Sequence, residues 1–138
     1  MKFFIDVNIA VTMSDAIATL ASSQDIEVCH LSRRFPANTP DPVWIRALQP
    51  EGWVIISGDR RISRNPANRA AWQESGLTAF FLGDGWASRQ FWIQAGELIR
   101  WFPIMVQTVR DCTPGSGFLL PFRGSVPSPI YVPRSPSE

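Results

Sequence analysis

The sequence has few of the features that mark secreted or membrane proteins. Its two cysteines are too few for a disulfide framework, and no apolar run approaches the roughly 18 residues that span a bilayer. The N-terminal MKFFIDVNIA lacks the apolar stretch and the small-residue cleavage site of a signal peptide. We therefore expect a cytoplasmic protein with no membrane segment.

Lysine is almost absent as well. Lys2 is the only one, the other 12 of the 13 basic residues are arginines, and the formal net charge is +1. Arginine binds phosphate through a planar fork, but a GC-rich genome produces the same bias, so the composition does not by itself indicate nucleic acid. The length of 138 residues, with 45% hydrophobic and 18% charged residues, is typical of one folded domain.

Short β-branched or aromatic runs alternate with helical spacings of apolar residues along the first part of the chain. Strands are predicted at 3–7, 26–31, 53–57 and 77–82, and helices at 9–20, 40–49 and 65–75. A longer helix follows Ser88, and Pro103 is expected to kink it or divide it. Residues 118–122 are predicted to be a fifth strand or an edge segment.

This alternation predicts an α/β fold with a mostly parallel sheet that helices cover on both faces. We place this domain at residues 1–122. Residues 123–138 are rich in proline and serine without periodicity, and we expect them to be an extended or disordered tail.

Helix starts and tryptophans give further expectations. Asn8 is expected to cap the first helix and Thr39 the second, with Pro40 at its first position. Core positions are predicted for Trp44, Trp53, Trp72, Trp92 and Trp101. Trp86 lies in a loop, where it packs in the core, stacks on a base or contacts a partner.

Three acids follow predicted strands at one edge of the sheet. Asp6 ends the first strand, and Asp59 and Asp84 follow the third and fourth. A parallel sheet binds ligands at this edge, where the strand order reverses, and Asp41 joins the group if its helix starts there. Crowded carboxylates need a cation to offset their repulsion, and Mg²⁺ prefers oxygen ligands and phosphate.

Some of these acids also have structural explanations. The helix dipole favours Asp41 in a first turn, and a tight turn favours Asp84 in Gly-Asp-Gly, whereas Asp6 gains little structurally. A softer metal is not indicated, because Cys29 and His30 are adjacent on a strand and face opposite ways.

Arginines cluster beside the acids. One group follows the third strand and consists of Arg60, Arg61, Arg64 and Arg69. A second pair precedes the second helix and consists of Arg33 and Arg34. Arginines around an acidic metal site suit a phosphodiester substrate. A solvated charged loop explains the same pattern equally well.

The segments FFIDVN, TPDPVWIRAL and WVIISGDRRISRNP, followed by FFLGDGW, resemble PIN-like domains of VapC-type toxins in order and spacing over residues 1–110. The resemblance implies a three-layer α/β/α sandwich with a central, mostly parallel sheet. It also implies an Mg²⁺- or Mn²⁺-dependent endoribonuclease that forms a homodimer and that a cognate antitoxin protein neutralises.

Site residues follow in two groups. The resemblance assigns the catalytic, metal-binding acids as Asp6, Asp41 and Asp59, with Asp84 the nearest substitute for a fourth acid. Contacts to the metal shell or the RNA backbone are expected from Asn8, Arg60, Arg61 and Arg64. Many PIN domains have a fourth acid, often with a glutamate in the set, and no glutamate here matches such a position.

Two other functions compete with this interpretation. The missing fourth acid favours a non-catalytic PIN-like module that binds RNA or protein. A phosphate-binding domain of the response-regulator or phosphatase sort needs an acidic pair and a downstream lysine, which a sequence whose only lysine is Lys2 does not provide.

Overall fold

The computed structural model describes residues 1–134. Its strands are β1 (Lys2–Ile5), β2 (Glu27–His30), β3 (Val54–Ser57), β4 (Ala79–Leu82), β5 (Gly117–Leu120) and β6 (Ser128–Tyr131). Its α-helices are α1 (Val11–Ser22), α2 (Asp41–Leu48), α3 (Arg61–Arg64), α4 (Pro66–Ser75) and α5 (Phe91–Asp111). Short 3-10 helices follow β2 at Leu31–Arg33 and α2 at Gln49–Glu51.

The strands form one sheet in the order β2-β1-β3-β4-β5-β6. β1 to β5 are parallel, and β6 runs antiparallel to β5. In this register Phe4 lies between Cys29 of β2 and Ile55 of β3. The chain goes from β1 to one side for β2 and then crosses to the other side for β3. The strand order therefore reverses between β1 and β3, which opens a crevice at their carboxyl ends.

Helices bury both faces of the sheet. Phe3 and Ile5 pack against α1 and α5 on one face. Phe4 points to the opposite face, where Trp44 of α2 and Trp72 of α4 cover it. Successive residues of a strand point to opposite faces, so β1 contributes to both apolar clusters. The predicted three-layer α/β/α sandwich with a mostly parallel sheet is confirmed.

The predicted caps of α1 and α2 are wrong, because the side chains concerned bond elsewhere. Asn8 Oδ1 accepts a hydrogen bond from the Gly58 N–H at 3.0 Å, and α1 has no side-chain cap. Thr39 Oγ1 donates to the Pro36 carbonyl, and α2 begins one residue later than predicted, with Pro40 as its N-cap.

The predicted bounds of α4 are confirmed. Asn65 Oδ1 accepts hydrogen bonds from the N–H groups of Ala67 and Asn68, and Gly76 ends the helix in a left-handed conformation at φ 70°. α5 continues as one helix through Pro103, so a division there is wrong. Pro103 is exposed, and solvent can bond the carbonyl that its missing N–H leaves without a donor.

One tryptophan differs from expectation. Trp92 is 82% exposed, so its predicted core position is wrong. It lies in the first turn of α5, off the buried stripe that Leu98 and Trp101 occupy. Trp86 is 4% exposed, and its Nε1 donates to the Leu120 carbonyl at 2.9 Å. Of its three possible roles, Trp86 therefore packs in the core. The others are buried as predicted: Trp44, Trp53, Trp72 and Trp101.

The end of the chain extends the sheet. The predicted fifth strand is β5, and the stretch predicted as an extended or disordered tail contributes β6 at the sheet edge. Residues 135–138 of that predicted tail lie outside the described residues. Among residues 1–134, none of the helices combines the length and the apolar character that a membrane span requires.

Candidate functional site

A polar cavity of about 440 Å³ opens beside the carboxyl ends of β1 and β3, where the strand order reverses. The start of α2 also lies at this edge, so three of the predicted acids line the cavity together: Asp6, Asp41 and Asp59. The polar and aromatic residues beside them include Asn8, Trp44, Arg61, Asn65 and Asn68.

Asp6 is the most deeply buried of the three acids, with 3% of its surface exposed. Its carboxylate accepts hydrogen bonds from the Val7 N–H at 2.6 Å and from the Ser57 hydroxyl at 2.8 Å. Burial raises the pKa of Asp6 above its ordinary value, the two hydrogen bonds oppose that rise, and the charges of Asp41 and Asp59 add to it. A cation in the cavity would favour the ionised form.

Asp41 is the first residue of α2 and is held from two sides. Oδ1 accepts a hydrogen bond from the Trp44 indole N–H and Oδ2 one from the Asn68 amide, both at 3.1 Å. Burial raises the pKa of Asp41, the Trp44 bond opposes the rise, and the charge of Asp59 increases it. Donors from α2 and α4 therefore fix this carboxylate at the cavity wall.

Asp59 is neutralised by a near neighbour. Its carboxylate accepts hydrogen bonds from the Arg61 N–H at 2.9 Å and from Arg61 Nε at 2.7 Å. Partial burial would raise the pKa of Asp59, but the hydrogen bonds and the charge of Arg61 outweigh it and leave the pKa below its ordinary value. The Arg61 side chain is 81% exposed, so the partner of Asp59 is in contact with solvent.

Ser57 and Asn68 belong to the site but were not predicted. Ser57 Oγ donates to Asp6 and accepts a hydrogen bond from the Asp59 N–H at 3.0 Å, so it joins two of the acids. A small polar residue at the end of the apolar run WVIIS is a signal that would have found it. Asn68 lies 27 residues beyond Asp41 and offers no local signal.

The remaining predicted residues lie in and around the cavity. Asn8 lines it, whereas Arg60 and Arg64 do not. Arg60 Nε donates to Ser63 Oγ at 3.4 Å, and Arg64 is exposed at the end of α3. Asp84 is exposed in the turn after β4, outside the cavity, and its role as a fourth acid stays a prediction.

The second basic pair is neutralised by acids elsewhere on the surface. Arg33 forms an ion pair with Asp15 at 2.7 Å, and Arg34 pairs with Glu51. These pairings favour the interpretation of this loop as solvated charged surface.

The donor chemistry of the cavity suits a hard divalent cation such as Mg²⁺ or Mn²⁺, because its acids offer carboxylate oxygens. Within residues 1–134, however, no group of three or more His, Cys, Asp or Glu side chains is arranged to hold an ion. A hydrated ion fits this arrangement better than a closed protein cage, since Mg²⁺ keeps several waters and takes one or two carboxylates. It would also relieve the repulsion that contributes to the raised pKa values of Asp6 and Asp41.

Residues 1–84, more than half of the chain, match the family of PIN-like domains. The chain therefore belongs to that family, whose fold is of a nuclease type. The matched segment contains all three acids of the cavity. No significant match to the chain was found among curated proteins or among solved structures. The VapC-type subfamily stays a prediction.

Proposed function

We propose that the protein is a metal-dependent endoribonuclease that hydrolyses RNA phosphodiesters. The observation that carries this proposal is the presence of Asp6, Asp41, Asp59 and Arg61 in one cavity of a PIN-like domain. The carboxylates suit a cation and the guanidinium suits a phosphate, which are the two charged parts of a metal–phosphodiester complex.

Asp6 and Asp59 would hold the principal Mg²⁺ or Mn²⁺ ion, and Asp41 would complete its shell or hold a second ion. An ion held there would supply charge to polarise the phosphoryl group, lower the pKa of the attacking water and stabilise the leaving oxygen. Ser57 holds Asp6, and Asn68 holds Asp41, so that both carboxylates are oriented before substrate arrives.

Arg61 has two partners in this scheme. Without substrate it neutralises Asp59. When a phosphodiester and a cation enter the cavity, the exposed guanidinium can move from Asp59 to the phosphate oxygens, which its planar fork matches. Arg60 precedes Arg61, and Arg64 ends the same short helix, so both would contact neighbouring phosphates. Asn8 would orient the metal shell. The expected products carry 5′-phosphate and 3′-hydroxyl ends.

The biological setting that fits this activity is a type II toxin–antitoxin system. It is supported by the resemblance of FFIDVN and WVIISGDRRISRNP to VapC-type toxins. We infer a cytoplasmic homodimer that a cognate antitoxin protein neutralises. A small DNA-binding protein encoded beside the gene would support this setting independently of any cleavage assay.

A non-catalytic binding module is the second candidate. It is favoured by the pairing of Asp59 with Arg61 and by the position of Asp84 outside the cavity. Calorimetric titration with Mn²⁺ separates the two candidates. The ribonuclease is expected to bind the ion at these acids, and the non-catalytic module is not.

The experiment that tests the activity is cleavage of labelled mixed-sequence RNA in Mn²⁺ or EDTA by wild type, Asp6→Asn and Asp25→Asn. Asp25 is a matched control, because it is an exposed acid at φ 57°, a conformation that asparagine tolerates. We expect metal-dependent cleavage by wild type and Asp25→Asn and none by Asp6→Asn. Cleavage by a folded Asp6→Asn variant would refute the site assignment.

A further inference from the structure

Trp92 is an exposed aromatic side chain on a helical turn that hydrogen bonds hold in place. It lies in the first turn of α5 with 82% of its surface exposed, and its ring centroid is 5.6 Å from that of Phe91. Gln94 Nε2 donates to the carbonyls of Trp86 and Arg89, both at 2.8 Å, and so fastens the β4–α5 loop to this turn. An exposed indole on a fixed backbone is suited to stacking on a flat ligand.

Two arginines, one of them in the loop just before this turn, pack on Phe122 without acidic partners. The guanidinium carbons of Arg89 and Arg123 are 4.6 and 5.7 Å from the ring centroid of Phe122. Among the described residues neither arginine forms an ion pair. Packing on one aromatic ring therefore holds two positive charges close together, with both available to an anion.

These arginines extend a series that starts beside the acid cavity. Arg60 follows β3, Arg89 lies in the loop after β4, and Arg123 follows β5, so they occupy the carboxyl ends of neighbouring strands. From β1 to β5 this edge spans about 14 Å, at roughly 4.8 Å per strand. Two acids lie in these loops: Asp59, which is paired with Arg61, and Asp84, which lies near Arg60.

We propose that single-stranded RNA binds along this edge, with its phosphates on Arg60, Arg89 and Arg123 and an unpaired base stacked on Trp92. The inference rests on the proposed ribonuclease function and adds the residues of this chain along which its substrate binds. Bases in a duplex already stack on one another, whereas an unpaired base presents its face to an aromatic side chain.

Fluorescence anisotropy with a labelled single-stranded RNA, in EDTA to prevent cleavage, tests this surface. Trp92→Ala is expected to weaken binding by about tenfold without changing the salt dependence, and Trp92→Phe to retain most of the affinity. Arg89→Ala is expected to weaken binding and to lower the slope of log K against log salt by about 0.7. Arg110→Ala, an exposed arginine at the other end of α5, is the control and should bind like wild type.

Unchanged affinity in both Trp92→Ala and Arg89→Ala would overturn the inference, as would an equal loss in Arg110→Ala. A change of oligomeric state in Trp92→Ala with unaltered RNA affinity would assign the patch to a protein contact instead. Binding that depends on these residues without any cleavage in Mn²⁺ would support the surface and refute the ribonuclease. Normal cleavage with wild-type affinity in the variants would refute the surface alone.

Discussion

The Ser57 hydroxyl donates a hydrogen bond to Asp6 Oδ2 at 2.8 Å and joins residues that are 51 positions apart in the sequence. The bond links the carboxyl ends of β3 and β1, the strands between which the sheet order reverses. It gives the most buried acid of the cavity one of its two hydrogen-bond donors. The shape of the candidate site and the state of its central carboxylate therefore depend on the same contact.

Ser57→Ala is expected to destabilise the protein by about 1–3 kcal/mol at neutral pH, because a buried carboxylate loses a donor that nothing replaces. Urea unfolding measures the effect. Ser22→Ala, which removes an exposed hydroxyl bonded to the Thr19 carbonyl, is the control and should change stability little. Equal stabilities of the two variants would show that the Ser57 bond contributes nothing.

Asp6→Asn is expected to stabilise the metal-free protein at neutral pH by on the order of 1 kcal/mol, as is common for polar groups held for function. Burial raises the pKa of Asp6 above 3.8, so the native state binds this proton more tightly than the unfolded chain. Ionising Asp6 therefore lowers the free energy of unfolding. This loss is absent below the unfolded-state pKa and complete above the native pKa. Asparagine does not ionise, so the advantage of the variant grows as the pH rises through that interval.

Urea unfolding in EDTA at several pH values from about 4 to 8 tests whether the stability advantage of Asp6→Asn grows with pH. Asp25→Asn is the control. An advantage that shrinks with rising pH, or a wild type that is more stable than Asp6→Asn at neutral pH, would contradict it.

Arg61→Ala is expected to tighten Mn²⁺ binding on the order of fivefold, because an exposed ion pair that competes with the cation for Asp59 is lost. The same variant should cleave RNA more slowly, since a phosphate-binding group is missing. Calorimetry and a cleavage assay measure the two effects. Arg69→Ala, another exposed arginine outside the cavity, is the control. Unchanged or weaker Mn²⁺ binding by Arg61→Ala would show that the ion does not use Asp59.

Asp84→Asn is expected to leave Mn²⁺ affinity within about twofold of wild type, because Asp84 is exposed and outside the cavity. Asn68→Ala should weaken it by about tenfold or more, since Asp41 loses the donor that orients it. Titration of both variants compares the two roles directly. A large loss in Asp84→Asn would make that residue the missing fourth ligand.

The layers of the fold could be predicted from the sequence because they follow from local patterns. Phe3 and Phe4 are adjacent in an apolar strand, so the sheet needs cover on both faces. Asp6 and Asp59 could be placed at one edge because each directly follows such a strand. Asp41 was harder to place, because it reaches the cavity only if α2 starts at this edge of the sheet. The sequence pattern did not fix that start, and only the resemblance to PIN-like domains assigned Asp41 to the site.

Other features could not be predicted, because they depend on residues that are distant in the sequence. The ion pairs of Arg33 and Arg34 involve acids 18 and 17 positions away, and the sequence gives no reason to choose those partners. The helical spacing assigned Trp92 to the core, but the first turn of α5 leaves its side chain uncovered.

The most direct test of the central claim is the rate of RNA cleavage in single turnovers over a series of Mn²⁺ concentrations, for wild type and Asp59→Asn. If the three acids form one metal-dependent site, wild type has no activity in EDTA and reaches a maximal rate with Mn²⁺. Asp59→Asn then shows no cleavage or needs far more Mn²⁺. Cleavage by wild type in EDTA, or an unaltered Mn²⁺ dependence in Asp59→Asn, would contradict the claim.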